Sequence, residues 1–295
     1  MKARFFLLAM LCFLVVGVGA RADETKPVIK TGGPYEVEVI KDIAYYEGKD
    51  ADPVKHKLDL YLPKGKKDFP ILFFVHGGAW RGGDKKLYGK IGSVFAQNGV
   101  GMVAISYRLS PAVQHPTHVQ DVARAFAWTV HNIAKHGGKA DQIVLSGHSA
   151  GGHLVALLAT DGSYLKAEKL SRENVKGVVP LSGVFTIRHT DRSESVFGKE
   201  ESCKNASPMT HVQANLPPFL LLYAEKDLGD LGKQAVQMNK ALQEAKCASD
   251  CRMMKERDHV SIMRNIANED DPATQAILEF LARHTDLKMK TKEAK

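Results

Sequence analysis

Residues 142–157 read QIVLSGHSAGGHLVAL, and Ser149 stands there among residues with almost no side chain. Gly147, Ala150, Gly151 and Gly152 surround it. Residues 142–145 are β-like, and residues 153–159 carry a helical apolar pattern. A sharp strand-to-helix turn needs such neighbours, because its central residue is held in a strained backbone conformation and its flanks must not clash. The turn presents a hydroxyl above a sheet, beside a helix N-terminus whose unpaired N–H groups can stabilise an anion. The pentapeptide G-H-S-A-G is a weak signal alone, since small-residue runs arise by chance. At the junction of a strand and a helix it becomes a nucleophile candidate.

Outward from this turn the chain alternates. Strand-like stretches at 35–46 and 56–62 come first, with no helix between them, which suggests an antiparallel edge. Residues 69–75 form a short, almost wholly apolar run, as in a strand buried on both faces. A helical stretch at 87–97, a strand at 101–107 and an amphipathic helix at 118–135 follow. Past the turn, strands are expected at 175–181, 219–223 and 252–255, and helices at 233–246 and 272–284. Strands separated by helical crossovers favour a mostly parallel sheet covered on both faces, within one domain. The polar stretch 185–217 breaks the rhythm; its length suggests a lid-like insertion or a plain surface excursion.

Serine attack on a carbonyl needs a base, a group that orients the base, and donors for the oxyanion. His76-Gly77-Gly78-Ala79-Trp80 directly follows the buried run 69–75, and its glycines leave backbone N–H groups unobstructed. The acid and the histidine should follow the serine in that order. Asp227 closes the apolar strand FLLLYAEK, a position where α/β sites gather. Asp230 competes, but it stands near a helix start, where capping would explain it. His259 follows RMMKERD and precedes a helical segment. His211 and His284 are poorer bases, and His148 and His153 neighbour the serine without facing it, although His148 could line the pocket. Trp80 reads equally well as a pocket wall or a packing anchor. Arg108 and Asp121 read as a structural ion pair supporting the HGG loop.

The set HGGAW (76–80), SYRLSP (106–111), GHSAGGH (147–153), strand-end Asp227 and DHVSIM (258–263) resembles the α/β-hydrolase superfamily. It is most similar to the HGG-bearing esterases related to hormone-sensitive lipase, the feruloyl and acetyl-xylan esterases, and the kynurenine formamidases. The resemblance covers roughly 37–287 and implies an α/β-hydrolase fold. It further implies Ser149 as nucleophile, His259 as general base and Asp227 as orienting acid. Gly78, Ala79 and Ala150 would supply the oxyanion N–H groups, with Gly77, Trp80 and His148 around the substrate. Ala79 stands where many relatives have a third glycine. The implied activity is a serine carboxylic-ester hydrolase acting through an acyl-enzyme on short-acyl or hydroxycinnamoyl esters, carbohydrate esters among them. A formamidase or amidase, or a non-catalytic hydrolase fold, are the alternatives. No metal or organic cofactor is implied.

Composition sets the remaining bounds. The start MKARFFLLAMLCFLVVGVGARA has a basic n-region, an apolar run and an Ala20-Arg21-Ala22 cleavage pattern, so residues 1–22 are read as a signal peptide. A secreted or periplasmic product without stable membrane insertion is then expected. Removal takes away Lys2, Arg4 and Arg21 and no acid, so the formal +8 falls to +5. Residues 288–295 form a lysine-rich tail, so the body, 23–287, is nearly neutral. No basic cluster with interleaved aromatics marks it for nucleic acid; a small-molecule or polysaccharide ester is the expected partner. Of the four cysteines, Cys203, Cys247 and Cys251 remain. Their spacing fits no zinc site, and Cys247 with Cys251 could be either bridged or free.

Overall fold

Eight strands build one sheet in the order β1-β2-β4-β3-β5-β6-β7-β8. They are β1 (Val37–Ala44), β2 (Lys57–Pro63), β3 (Phe69–Val75), β4 (Gly101–Ile105), β5 (Gly138–His148), β6 (Gly177–Leu181), β7 (Phe219–Lys226) and β8 (Ser249–Asp258). The computed structural model describes residues 33–288. The expected signal peptide and most of the lysine tail therefore lie outside the described residues. β2 is antiparallel to both β1 and β4, and every pairing from β4 to β8 is parallel. The antiparallel edge and parallel body match what the alternation predicts.

The helices are α1 (Gly89–Gln97), α2 (Thr117–Asn132), α3 (Ala150–Thr160), α4 (Ser163–Ala167), α5 (Asp191–Phe197), α6 (Glu200–Asn205), α7 (Leu231–Glu244), α8 (Ser261–Asn265) and α9 (Pro272–His284). One face of the sheet packs on α2, α3 and α7 through residues such as Val122, Phe126, Leu154, Leu158 and Met238. The other packs on α1, α8 and α9 through Phe95, Ile262, Ile277 and Leu281. With both faces covered, β3 (FPILFFV) is buried at every position, which is why its sequence is continuous rather than alternating. None of the described helices is long and apolar enough to cross a membrane.

Register places the loops that matter. Val75 pairs with Ile105 on one side and Gly147 on the other, so the HGG loop and the Ser149 turn leave the sheet side by side. Lys226 pairs with Asp258, which puts the loops carrying Asp227 and His259 together at the same carboxyl edge. The insertion 185–217 is not a structureless excursion. Helices α5 and α6 and a 3-10 turn (Pro208–His211) fold around a small core of Ile187, Val196, Phe197, Cys203 and Ala206. Thr190 caps α5 by accepting from the Ser193 N–H. Helices this short escape periodicity analysis.

Candidate active site

Ser149 has φ +55 and ψ −117, the strained turn its small neighbours imply. Its N–H donates to the Leu181 carbonyl at 2.9 Å, tying the turn to the end of β6. A side chain at Gly151 would stand 2.1 Å from the Val75 carbonyl oxygen, so the turn closes only without one. The Ser149 hydroxyl donates to His259 Nε2 at 2.9 Å, and His259 Nδ1–H donates to Asp227 Oδ1 at 2.7 Å. The structure thus joins the serine, the histidine and the aspartate named from sequence. Asp230 takes no part.

The Asp227 carboxylate is almost fully buried. Burial alone would raise its pKa, yet hydrogen bonds from His259 and from the N–H groups of Ala224 and Leu228 hold it below the usual carboxylate value. The Ala224 and Leu228 bonds measure 3.1 and 2.9 Å. An anion so held keeps the proton of His259 on Nδ1 and leaves Nε2 free to accept from Ser149. Ser182, buried just past the end of β6 at φ +46, ties that strand end to β7 by donating its N–H to the Leu222 carbonyl at 2.7 Å; a serine after an apolar strand carries no distinctive sequence pattern.

Gly78 and Ala79 are exposed at the mouth with φ of +123 and +51. Their N–H groups donate to no partner among the described residues. Ala150 begins α3, where the first N–H groups have no acceptor within the helix. The backbone N–H groups of Gly78, Ala79 and Ala150 are thus left unpaired just past the ends of the adjacent strands β3 and β5. The Gly77 N–H is taken by the Tyr88 hydroxyl at 3.2 Å, and a side chain at Gly77 would strike the His148 carbonyl, so Gly77 shapes the loop.

Two residues expected around the substrate are placed differently. His148 is buried, and its Nε2–H donates to the His259 carbonyl at 2.7 Å, so it holds the histidine loop instead of lining a pocket. Burial, and then the nearby His259, push its pKa down to about 4, so it stays neutral. Trp80 is an anchor: it packs edge-on against His153 and Phe197, with ring centroids 5.1 and 4.8 Å away. Arg108 does pair with Asp121, through bonds of 2.9 and 2.7 Å, but the network continues to Asp50 and His56 between β1 and β2, not to the HGG loop. Cys203, Cys247 and Cys251 are all free. The Cys247 thiol turns to the Gln213 carbonyl at 3.2 Å, while Cys251 sits inside β8 opposite Leu221, so the bridge considered from their spacing is not formed. Among the described residues no cluster of three or more His, Cys, Asp or Glu side chains is arranged to hold a metal.

The BD-FAE family model matches residues 58–242, from the second strand through most of α7. The chain belongs to this family. It is 34% identical over 177 residues to the probable carboxylic ester hydrolase LipM of Mycobacterium tuberculosis, covering 54% of this chain and 41% of that protein. The chain spans less than half the length of this relative and of the mycobacterial esterases LipC and LipQ. Kynurenine formamidase of Danio rerio is 26% identical over 256 residues and 83% of each chain. Among solved structures, a truncated carbohydrate esterase from gut microbiota superposes with TM-score 0.73 at 20% identity, covering 86% of this chain and 98% of that one. Esterase B from Lactobacillus Rhamnosis superposes with TM-score 0.72 at 23% identity, covering 86% and 87%. The fold of this BD-FAE member is that of the α/β-hydrolase esterases.

Proposed function

We propose that the protein is a serine ester hydrolase. The observation that carries this reading is the continuous chain from the Ser149 hydroxyl through His259 to the buried Asp227 carboxylate, with unpaired backbone N–H groups on the neighbouring HGG loop and at the start of α3. Ser149 Oγ attacks the ester carbonyl carbon as His259 Nε2 takes its proton. The carbonyl oxygen becomes an anion between the N–H groups of Gly78, Ala79 and Ala150, where fixed donors are worth more than water. The alcohol leaves with the proton from His259, and an acyl–Ser149 ester remains. Water, deprotonated by the same nitrogen, then releases the acid and restores the serine. Asp227 holds His259 in the required tautomer throughout and stays ionised.

Short-acyl or hydroxycinnamoyl esters, including esters on carbohydrate, are the proposed substrates; membership of the BD-FAE family and the likeness to a carbohydrate esterase support them. An amide reading of the formamidase type has one observation in its favour, the even 83% coverage of the Danio rerio relative. Hydrolysis of nitrophenyl acetate and butyrate, methyl ferulate, acetylated xylan and N-formylkynurenine separates them. Ser149→Ala should lower kcat on the activated esters by a factor on the order of 10³ or more, because members of such a unit fail together. A folded Ser149→Ala protein with near-full activity would remove the serine mechanism.

The basic start, apolar run and Ala20-Arg21-Ala22 support export to the periplasm or medium, with a mature chain beginning at Asp23. Mass spectrometry of the protein from its host should find that terminus; an intact Met1 in a soluble cytoplasmic fraction refutes export.

A further inference from the structure

His153 lies one turn beyond Ser149 on α3, entirely buried, and has no part in the steps above. Both its ring nitrogens are engaged. Nδ1 accepts the indole N–H of Trp80 at 3.2 Å, and Nε2–H donates to the Ala206 carbonyl at 2.7 Å. A single neutral tautomer satisfies both bonds. Burial pushes its pKa down to about 3, so that tautomer persists at neutral pH. The imidazole therefore links the residue that follows the Ala79 donor to the end of α6 in the insertion 185–217.

Trp80 needs such a link. Ala79 and Trp80 are consecutive non-glycine residues with φ of +51 and +60, a pair that persists only where the surroundings over-determine it. The surroundings here come largely from the insertion. Phe197 of α5 packs edge-on against the indole, and the Arg81 guanidinium reaches the Arg192 carbonyl and the Ser195 hydroxyl. From the opposite side, the Trp80 carbonyl accepts the Ser110 N–H at 2.8 Å. Trp80 is thus gripped at its ring, its N–H and its carbonyl, and it directly follows the Gly78–Ala79 peptide, whose carbonyl accepts the N–H groups of Arg81 and Gly82 at 3.0 and 2.9 Å.

We infer that His153 is a positioning residue for the oxyanion donors, and that the insertion acts through it as a buttress of the HGG loop. The inference rests on the ester-hydrolase reading above. It requires that loosening Trp80 leave ground-state binding nearly intact while weakening the hold on the oxyanion, since these donors are aimed at the charge that develops in the transition state.

Three variants and two readouts test it. Trp80→Phe keeps a ring and removes the N–H; His153→Leu removes both bonds; His153→Asn keeps an acceptor near the position of Nδ1. On nitrophenyl butyrate, Trp80→Phe and His153→Leu should each lower kcat about tenfold or more with KM within about threefold, and inactivation by a dialkyl phosphonate should slow in parallel. His153→Asn should recover part of the loss, and the Trp80→Phe/His153→Leu double variant should fall no further than the worse single one. Independently of activity, the indole N–H resonance of Trp80, one of only two tryptophans, should be protected from exchange in the wild type and lose that protection in His153→Leu. If His153→Leu does not fold, Trp80→Phe decides, because its indole is only partly buried. Unchanged kcat in folded Trp80→Phe, or a freely exchanging Trp80 indole in the wild type, overturns the inference. A wild type that hydrolyses no ester, or whose activity survives Ser149→Ala, overturns the reading beneath it, and the exchange measurement still judges the hydrogen bond.

Discussion

The centre of the sheet and its β7–β8 edge hold the two halves of the site by different means. At the centre, the Ser149 turn and the HGG loop are fixed by backbone conformation and by lack of space: positive φ at Gly78, Ala79, Trp80 and Ser149, and no room for a side chain at Gly151. At the edge, Asp227 and His259 are held by hydrogen bonds, from Ala224 and Leu228 to the carboxylate and from His148 to the His259 carbonyl. β8 is an edge strand, dressed with Lys255, Glu256 and Arg257, which discourages pairing with other chains. A steric device is lost all at once. A hydrogen-bonded one is lost bond by bond, so the two halves should answer differently to acid and to substitution.

The largest difference should appear on acidification. His76, His118, His148 and His153 are all buried and all belong to the central half, around β3, α2, β5 and α3. Burial pushes their pKa values down from the usual 6.5 to about 4, 4, 4 and 3 respectively. The unfolded chain therefore binds protons near pH 6.5 that the native state refuses until about pH 4. Stability is unaffected above that window and falls as pH drops through it, by on the order of 1 kcal/mol per pH unit for each such histidine. Asp227, with its pKa lowered, adds a loss only at still lower pH, as its carboxylate is protonated. Urea denaturation from pH 7.5 to 4.5 should show unfolding free energy decreasing steeply below about 6.5, with several kcal/mol gone by pH 5. A flat profile over that range would mean that these imidazoles are not held neutral.

How much of this was legible beforehand follows the same division. Ser149, the HGG loop and the order of acid and histidine could be read because steric devices select small residues at fixed positions, and small-residue runs are conspicuous. The parallel strands were legible because burial on both faces leaves continuous apolar runs. Hydrogen-bonded devices leave weaker traces. His148 and His153 adjoin the serine in sequence, yet their partners, the carbonyls of His259 and Ala206, are 111 and 53 residues away. A carbonyl carries no sequence signature. The apolar pattern marks only 252–255 as strand, whereas β8 runs from Ser249 to Asp258, because an edge strand needs few apolar residues. The β5 strand begins at Gly138, before its apolar core, because residues 139–142 are half-buried or exposed and so carry no apolar signal.

Substitution at the edge should next separate the two aspartates. Asp227→Asn keeps the shape but removes the charge that orients His259, and it can present an N–H₂ where an acceptor is needed. kcat on an activated ester should fall roughly a hundredfold to a thousandfold with KM little changed, since the histidine is then held in the wrong tautomer. Circular dichroism should remain that of the wild type. A fall of less than about fivefold would mean that His259 is oriented by something other than this carboxylate.

Asp230→Asn should have the smallest effect. Sequence position suggests a helix cap, and Asp230 does stand at the N-cap of α7, but its carboxylate makes no capping bond. One oxygen accepts from Gln234 Nε2 at 3.0 Å and the other pairs with Arg188. Arg188 is largely exposed, and such ion pairs contribute about 0–1 kcal/mol. The Gln234 bond has more consequence, because Gln234 Oε1 accepts the N–H groups of Phe185 and Thr186 at 2.9 Å each and so pins the start of the insertion to α7. Asparagine can still accept from Gln234, so that bridge survives the substitution. Stability should drop by no more than about 1 kcal/mol and kcat should stay within about twofold of wild type. If Asp230→Asn proves more damaging to kcat than Asp227→Asn, the charge that matters to His259 is not the one 2.7 Å from its Nδ1.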